Sequence, residues 1–171
     1  MNPRPSRDLL GGLVAGAVAL TGCGPSAADV RADAADSKAH VLEVSRDVLG
    51  PLTADGTFPQ PPRGSWSGCD DLGGKALYQV SARLDPPDDS PGPLVEAVGA
   101  RLSQAGLSLQ ADGPADAPVL TLRGVRDHVR VRVTGYRDEP VVLFDLFGPC
   151  LEVGDLDTEL WGEQPEHLDL G

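Results

Sequence analysis

The chain has 171 residues, a net charge of −12 at pH 7 and only 4% aromatic residues. That acidity argues against nucleic acid and anionic lipid as general partners, because both carry charge of the same sign. The scarcity of aromatics argues against a large aromatic-lined sugar or peptide groove. The 21 glycines and 16 prolines require a good share of loop.

Taken in chain order, the first segment is a targeting signal. Arg4 and Arg7 are basic, Leu9 to Leu20 is almost purely apolar, and small residues precede a cysteine in Leu20-Thr21-Gly22-Cys23. The apolar run is too short to span a bilayer as a helix. The pattern resembles a bacterial lipoprotein signal closed by a lipobox. That resemblance implies a signal peptide over 1–22 and a diacylglyceryl thioether on Cys23. It also implies a short lipidated tether over 23–28 and a place on the extracytoplasmic face of the cell membrane. Removal of 1–22 takes away Arg4, Arg7 and Asp8 and leaves 12 basic against 25 acidic residues, a net charge of −13.

The cysteine count fits an exported chain. With Cys23 lipidated, Cys69 and Cys150 remain as an even pair, and in an oxidising compartment a disulfide is the economical assignment. A redox or metal role would want closely spaced cysteines, and these two are far apart.

Asp29 to Leu49 is expected to be a helix, with Val30, Ala34, Val41, Val44 and Val48 on one stripe and Gly50-Pro51 as its stop. Thr53 to Ser67 is dense in Pro and Gly and reads as an irregular crossover. Ala76 to Leu84 alternates as a half-buried strand with Ala76, Tyr78, Val80, Ala82 and Leu84 on one side. Leu94 to Ala105 reads as a second helix with Gly106 at its C-terminus. Three strands follow, over 119–123, 129–134 and 141–147, with turns at Arg126-Asp127 and Arg137 to Pro140. They are expected to form an antiparallel meander whose last member is central. The expected fold is a two-layer α+β domain over 29–152. It has a four-stranded, mainly antiparallel sheet, two helices on one face, the order α-β-α-β-β-β and one disulfide. Residues 153–171, acidic and aperiodic, are expected to be a loose or draped tail.

Trp66-Ser67-Gly68-Cys69 leads into a strand, the second helix ends in Ala-Gly, and the last strand ends in Gly148-Pro149-Cys150. With the lipobox and the N-terminal helix, this resembles the LppA-type lipoproteins of actinobacteria over about residues 30–152. The resemblance bears on fold and location and transfers no activity. The acidic segment after Cys150 departs from the pattern.

No motif carries catalysis or metal binding. His40, His128 and His167 have no second ligand at metal spacing, and there is no nucleophile elbow or phosphate loop. Asp155, Asp157 and Glu159 resemble half a calcium loop but lack its glycine and closing glutamate, so solvated charge is the simpler reading. Asp70-Asp71 and Asp88-Asp89 read as turn residues. Against this acidic background stand Arg123, Arg126, Arg130, Arg132 and Arg137. Arg130 and Arg132 share a strand face, and Arg123 can join them from a neighbouring strand. Such a row can hold a carboxylate or phosphate, or it can be an outer face neutralised by acids such as Asp145 or Asp127. Trp66 is expected near the disulfide and joins the candidate surface. Trp161 is either an anchor for the tail or a contact for a partner.

Three functions follow in order. The first is a non-catalytic binding module at the cell envelope, acting on an envelope protein or a small anionic ligand. The second is a carrier of a lipid-like or anionic ligand in a cavity between helices and sheet, permitted by the small residues Ala97, Ala100 and Ala105. An enzyme comes last. No cofactor is expected.

Overall fold

Helix α1 runs Ala27–Leu49 and starts two residues earlier than its apolar stripe suggests, because Ser26 and Asp29 form a reciprocal capping box. It ends in a short 3₁₀ turn over Gly50–Ala54, so Gly50-Pro51 stops the α-helix without turning the chain away at once. The computed structural model describes residues 25–54, 58–69, 73–85, 91–114, 117–136, 139 and 141–169. The signal segment with Cys23, Asp70-Asp71, Asp88-Asp89 and Arg137 lie outside the described residues.

Helix α2 spans Pro91–Gln104. Gly106 has φ +84°, and its N–H donates to the Ser103 carbonyl while the Leu107 N–H donates to that of Leu102. This paired closure needs a left-handed residue, which glycine adopts without steric cost. Leu102 and Leu107, which the closure brings together, are both buried. A third helix, α3, covers Asp157–Trp161.

The strands are β1 (Arg63–Gly68), β2 (Lys75–Leu84), β3 (Ser108–Asp112), β4 (Val119–Arg126), β5 (Val129–Tyr136), β6 (Val142–Phe147), β7 (Leu151–Glu152) and β8 (Glu166–His167). They form one sheet in the order β3-β4-β5-β6-β2-β1-β8, with β7 pairing the start of β2, and all the pairings are antiparallel. The fold is therefore α+β with an antiparallel sheet and a disulfide, as expected, but the four-stranded, two-helix count is corrected to eight strands and three helices. The added strands lack the apolar alternation that reveals the others. In β1, Gly64 and Trp66 take the buried positions while Ser65 and Ser67 face outward. Edge strand β3 is mostly exposed. The pairs β7 and β8 are two residues long and exist only because β2 and β1 receive them.

One side of the sheet carries the core. Tyr78, Val80, Leu84, Val129, Val133, Phe144 and Leu146 are all essentially inaccessible and pack with Val41, Val48, Val98 and Leu102 of the helices. Fully burying such aliphatic side chains stabilises by about 1.5–3 kcal/mol each. Gly135 lets α2 approach closely: a methyl group there would overlap Val95. Ala97 and Ala100, expected to leave room between helix and sheet, instead face solvent, and Leu94, Val95, Val98 and Leu102 fill that space.

The segment after Cys150 is not a loose tail. Val153 and Leu160 join the core, the Gly74 N–H donates to Asp157, and the Leu168 N–H donates to the Pro62 carbonyl. Its acidity hid this docking, because two buried apolar residues suffice and they follow no helix or strand period. Leu160 is the anchor, while Trp161 beside it stays 41% exposed.

Cys69 follows β1, Cys150 stands between β6 and β7, and the two are bonded with their Cα atoms 6.0 Å apart. The bond thus joins the two neighbours of β2. The cysteines are 81 positions apart. A Cys69→Ser, Cys150→Ser double variant should lose about 4–5 kcal/mol of unfolding free energy on the chain-entropy argument, a large part of an ordinary domain's stability. Guanidinium denaturation of the two proteins checks this; equal midpoints would show that the β1 and β6 pairings to β2 hold the sheet unaided.

Candidate functional site

Because α1 and α2 share one side, the other side of the sheet is left to its alternate residues. Register places them in cross-strand rows. The first row runs Ser108, Val125, Arg130, Phe147, Gln79 and Ser65. The second runs Gln110, Arg123, Arg132, Asp145, Ser81 and Arg63. Arg123, Arg130 and Arg132 therefore share one face, as their spacing suggested.

They line a groove of about 710 Å³ that crosses the sheet from β3 to β1. Leu77 and Phe147 contribute apolar surface, and Ser67, Gly68 and Cys69 stand at its β1 side. A second hollow of about 460 Å³ lies beyond Asp145, against Pro59, Gln60 and Pro61 of the crossover. The first groove has a size suited to a small molecule. Among the described residues its lining includes no carboxylate and no histidine, and its guanidinium groups offer donors for an anion.

The three arginines differ in what holds them. Arg132 bonds Asp145 through Nε at 3.1 Å and Nη2 at 2.7 Å, and the Ser81 hydroxyl donates to the same carboxylate at 3.0 Å. Arg123 pairs with Asp112 at 2.7 Å, with both side chains well exposed. Arg130 has no carboxylate partner among the described residues. Its guanidinium lies 5.5 Å from the Phe147 ring centroid, and that of Arg132 lies 5.2 Å from the same ring. Ring and guanidinium attract through the ring quadrupole, which orients the cation without neutralising it. The acid pairing expected of an outer face is present at Arg123 and Arg132, and among the described residues it is not present at Arg130.

The remaining candidates lie elsewhere. Trp66 is corrected as a surface residue: it is 8% exposed, on the helix side, edge-on to Tyr78 with centroids 5.4 Å apart. Strand alternation decides this, because Ser65 and Ser67 take the groove side of β1. Arg126 turns away too, donating to the Ala105 carbonyl at the end of α2 and to Asp47 of α1. A cation there satisfies a free helix-terminal carbonyl. His40 lies within hydrogen-bonding distance of the Asp127 carbonyl, at 2.7 Å. Asp127 and His128 form the two-residue β4–β5 turn, both at positive φ. Asp157 caps local backbone and Glu159 pairs with Arg31, and no metal-ligating group of three or more acidic, His or Cys residues occurs among the described residues.

A polar cluster that the sequence did not reveal lies on the helix side of β1 and β2. The Tyr78 hydroxyl donates to Glu166 of β8, and the Lys38 ammonium reaches the same carboxylate at 3.0 Å and stands over the Tyr78 ring. Gly64 makes room for the hydroxyl. Burial pushes the Tyr78 hydroxyl well above the ordinary phenol value, and the neighbouring carboxylate adds to this. Burial pushes Glu166 up as well, but hydrogen bonds from Tyr78 and Lys38 outweigh it and hold the carboxyl below the ordinary glutamate range. No local signal marks this trio: packing of α1 on β2 brings Lys38 to Tyr78, and β8 pairing brings in Glu166, 88 positions from Tyr78.

No family model and no curated protein matches the chain. Among solved structures, a crystal structure of a DUF4853 family protein from Actinomyces odontolyticus is similar at 14% identity and a TM-score of 0.46, covering 74% of each chain. So distant a likeness says nothing about the groove.

Glu166 gives a pH prediction. A carboxyl held low in the folded state contributes stability that is present above its unfolded pKa and lost as pH falls toward its folded one. Urea midpoints of the parent and a Glu166→Gln variant should be furthest apart near neutrality and converge below about pH 4–5. A gap that stays constant with pH would show that the carboxylate's charge is immaterial.

Proposed function

We propose that this protein is a non-catalytic binding module of the cell envelope, held at the extracytoplasmic face of the membrane by a lipid on Cys23, with the outer sheet face as its working surface. The observation that carries the binding reading is Arg130: a guanidinium without a carboxylate partner among the described residues, in a small-molecule-sized groove of an otherwise acidic protein. A free guanidinium fork suits a carboxylate or phosphate. The carrier reading, with a cavity between helices and sheet, has less in its favour, because that space is filled by Val95, Val98, Leu102 and Phe144. Anchoring rests on the lipobox. No helix among the described residues is long and apolar enough to cross a membrane. The LppA-type resemblance agrees with this location and rests on its short motifs.

Two experiments test the two halves. Cells fed labelled palmitate should label the protein, and Cys23→Ser should abolish the label; an unlabelled parent, or a label that survives Cys23→Ser, would reject the lipid anchor. Titration with inorganic phosphate should shift the Arg130 and Arg132 Nε–Hε NMR signals well before those of Arg31 and Arg83, and Arg130→Gln should abolish the response in Arg132. Equal shifts at all arginines would reject the face as a binding surface.

A further inference from the structure

The rows of the outer face carry more than charge. Arg130 stands in register between Val125 on β4 and Phe147 on β6. Val125 is 60% exposed, the most exposed of the large apolar side chains among the described residues. Leu77 is a further apolar residue on this otherwise polar face, and it lines the same groove. Of the three arginines that line the groove, the one without an acid partner among the described residues is thus flanked by apolar surface on both sides.

We infer that the ligand of this groove is a small amphiphilic anion, with one carboxylate or phosphate head on a flat apolar body. This rests on the outer face being the working surface. One unpaired guanidinium matches one anionic head. Arg123 and Arg132, next to it in the second row, are already occupied by Asp112 and Asp145. A ligand that places its head on Arg130 must lay its body along Val125 or along Phe147 and Leu77. That burial is favourable in proportion to the apolar area covered. The volume of about 710 Å³ fits a small molecule. Charge selects in the same direction. The chain has a net charge of −12, which opposes polyanions and anionic surfaces at long range, whereas a small anion of one or two charges meets far less of that field with a Debye length of about 8 Å.

The test uses the full chain in phosphatidylcholine nanodiscs, with empty nanodiscs as the blank, titrated calorimetrically with inorganic phosphate, phenyl phosphate and benzyl alcohol. Phenyl phosphate should bind at least about tenfold more tightly than inorganic phosphate, and benzyl alcohol should give no measurable heat of binding. Arg130→Gln should weaken both anions by about tenfold or more. Val125→Ser and Phe147→Leu probe the two apolar flanks of Arg130 separately; one of them should remove most of the phenyl advantage, and an advantage that survives both would overturn the apolar contact. Equal affinities for the two anions would overturn the amphiphile and leave an anion-binding face; no binding of either would overturn both readings. In nanodiscs doped with phosphatidylglycerol the affinity for phenyl phosphate should not change. Its disappearance there would show that lipid headgroups occupy the groove, and the free small ligand would be rejected.

Discussion

A sheet whose two main helices lie on one side imposes opposite demands on successive residues of every strand. In β5 and β6 the demand is met residue by residue: Val129, Val131 and Val133 go in while Arg130 and Arg132 stay out, and Phe144 and Leu146 go in while Asp145 stays out. A one-residue slip would bury Arg130 and Arg132 of β5 or Asp145 of β6 and expose that strand's share of the core, so register is held by the whole apolar face at once. The groove is a product of that constraint. Its charged rim exists because the core had to be apolar, and register alone brings arginines from β4 and β5 side by side.

Strand β2 is where the structure is tied together. It receives β1 on one edge and β6 followed by β7 on the other, and the Cys69–Cys150 bond joins those two neighbours. The C-terminal segment closes the same region through Leu160, the Glu166 carboxylate and the β8 pairing to β1. A chain with this much acidity must place its carboxylates where they do not repel one another. Asp112, Asp145, Asp157, Glu159 and Glu166 each meet a cation or a backbone donor, and individual surface pairs of this kind contribute little to stability. Their consequence is distribution: two of the three groove arginines are neutralised and one is left.

How much was legible follows from which residues carry a periodic signal. Helices α1 and α2 and strands β2 and β5 alternate apolar and polar residues at helical or strand spacing because each has one buried side, and β6 stands out as an apolar run. The shared face of Arg123, Arg130 and Arg132 was legible for the same reason. Strands β1 and β3 were not, since RGSWSG and SLQAD contain too few apolar residues to show a period. The docking of residues 151–169 depends on Val153, Leu160 and single hydrogen bonds to distant backbone, which leave no local trace. Trp66 was misplaced because its closeness in sequence to Cys69 says nothing about which side of β1 it takes.

The sequence by itself determined the α+β class, the pairing of Cys69 with Cys150, the buried side of the main strands and the placing of three arginines on the other side. These depend on nearest-neighbour periodicity and on the count of cysteines. Only the tertiary structure decided which groove arginine has no acid partner among the described residues, that Val125 and Phe147 flank it, and that Glu166 closes on Tyr78 and Lys38. Those depend on strand order and register between segments far apart in the chain, and the free energy that selects them comes from burial of the whole core rather than from the residues that meet.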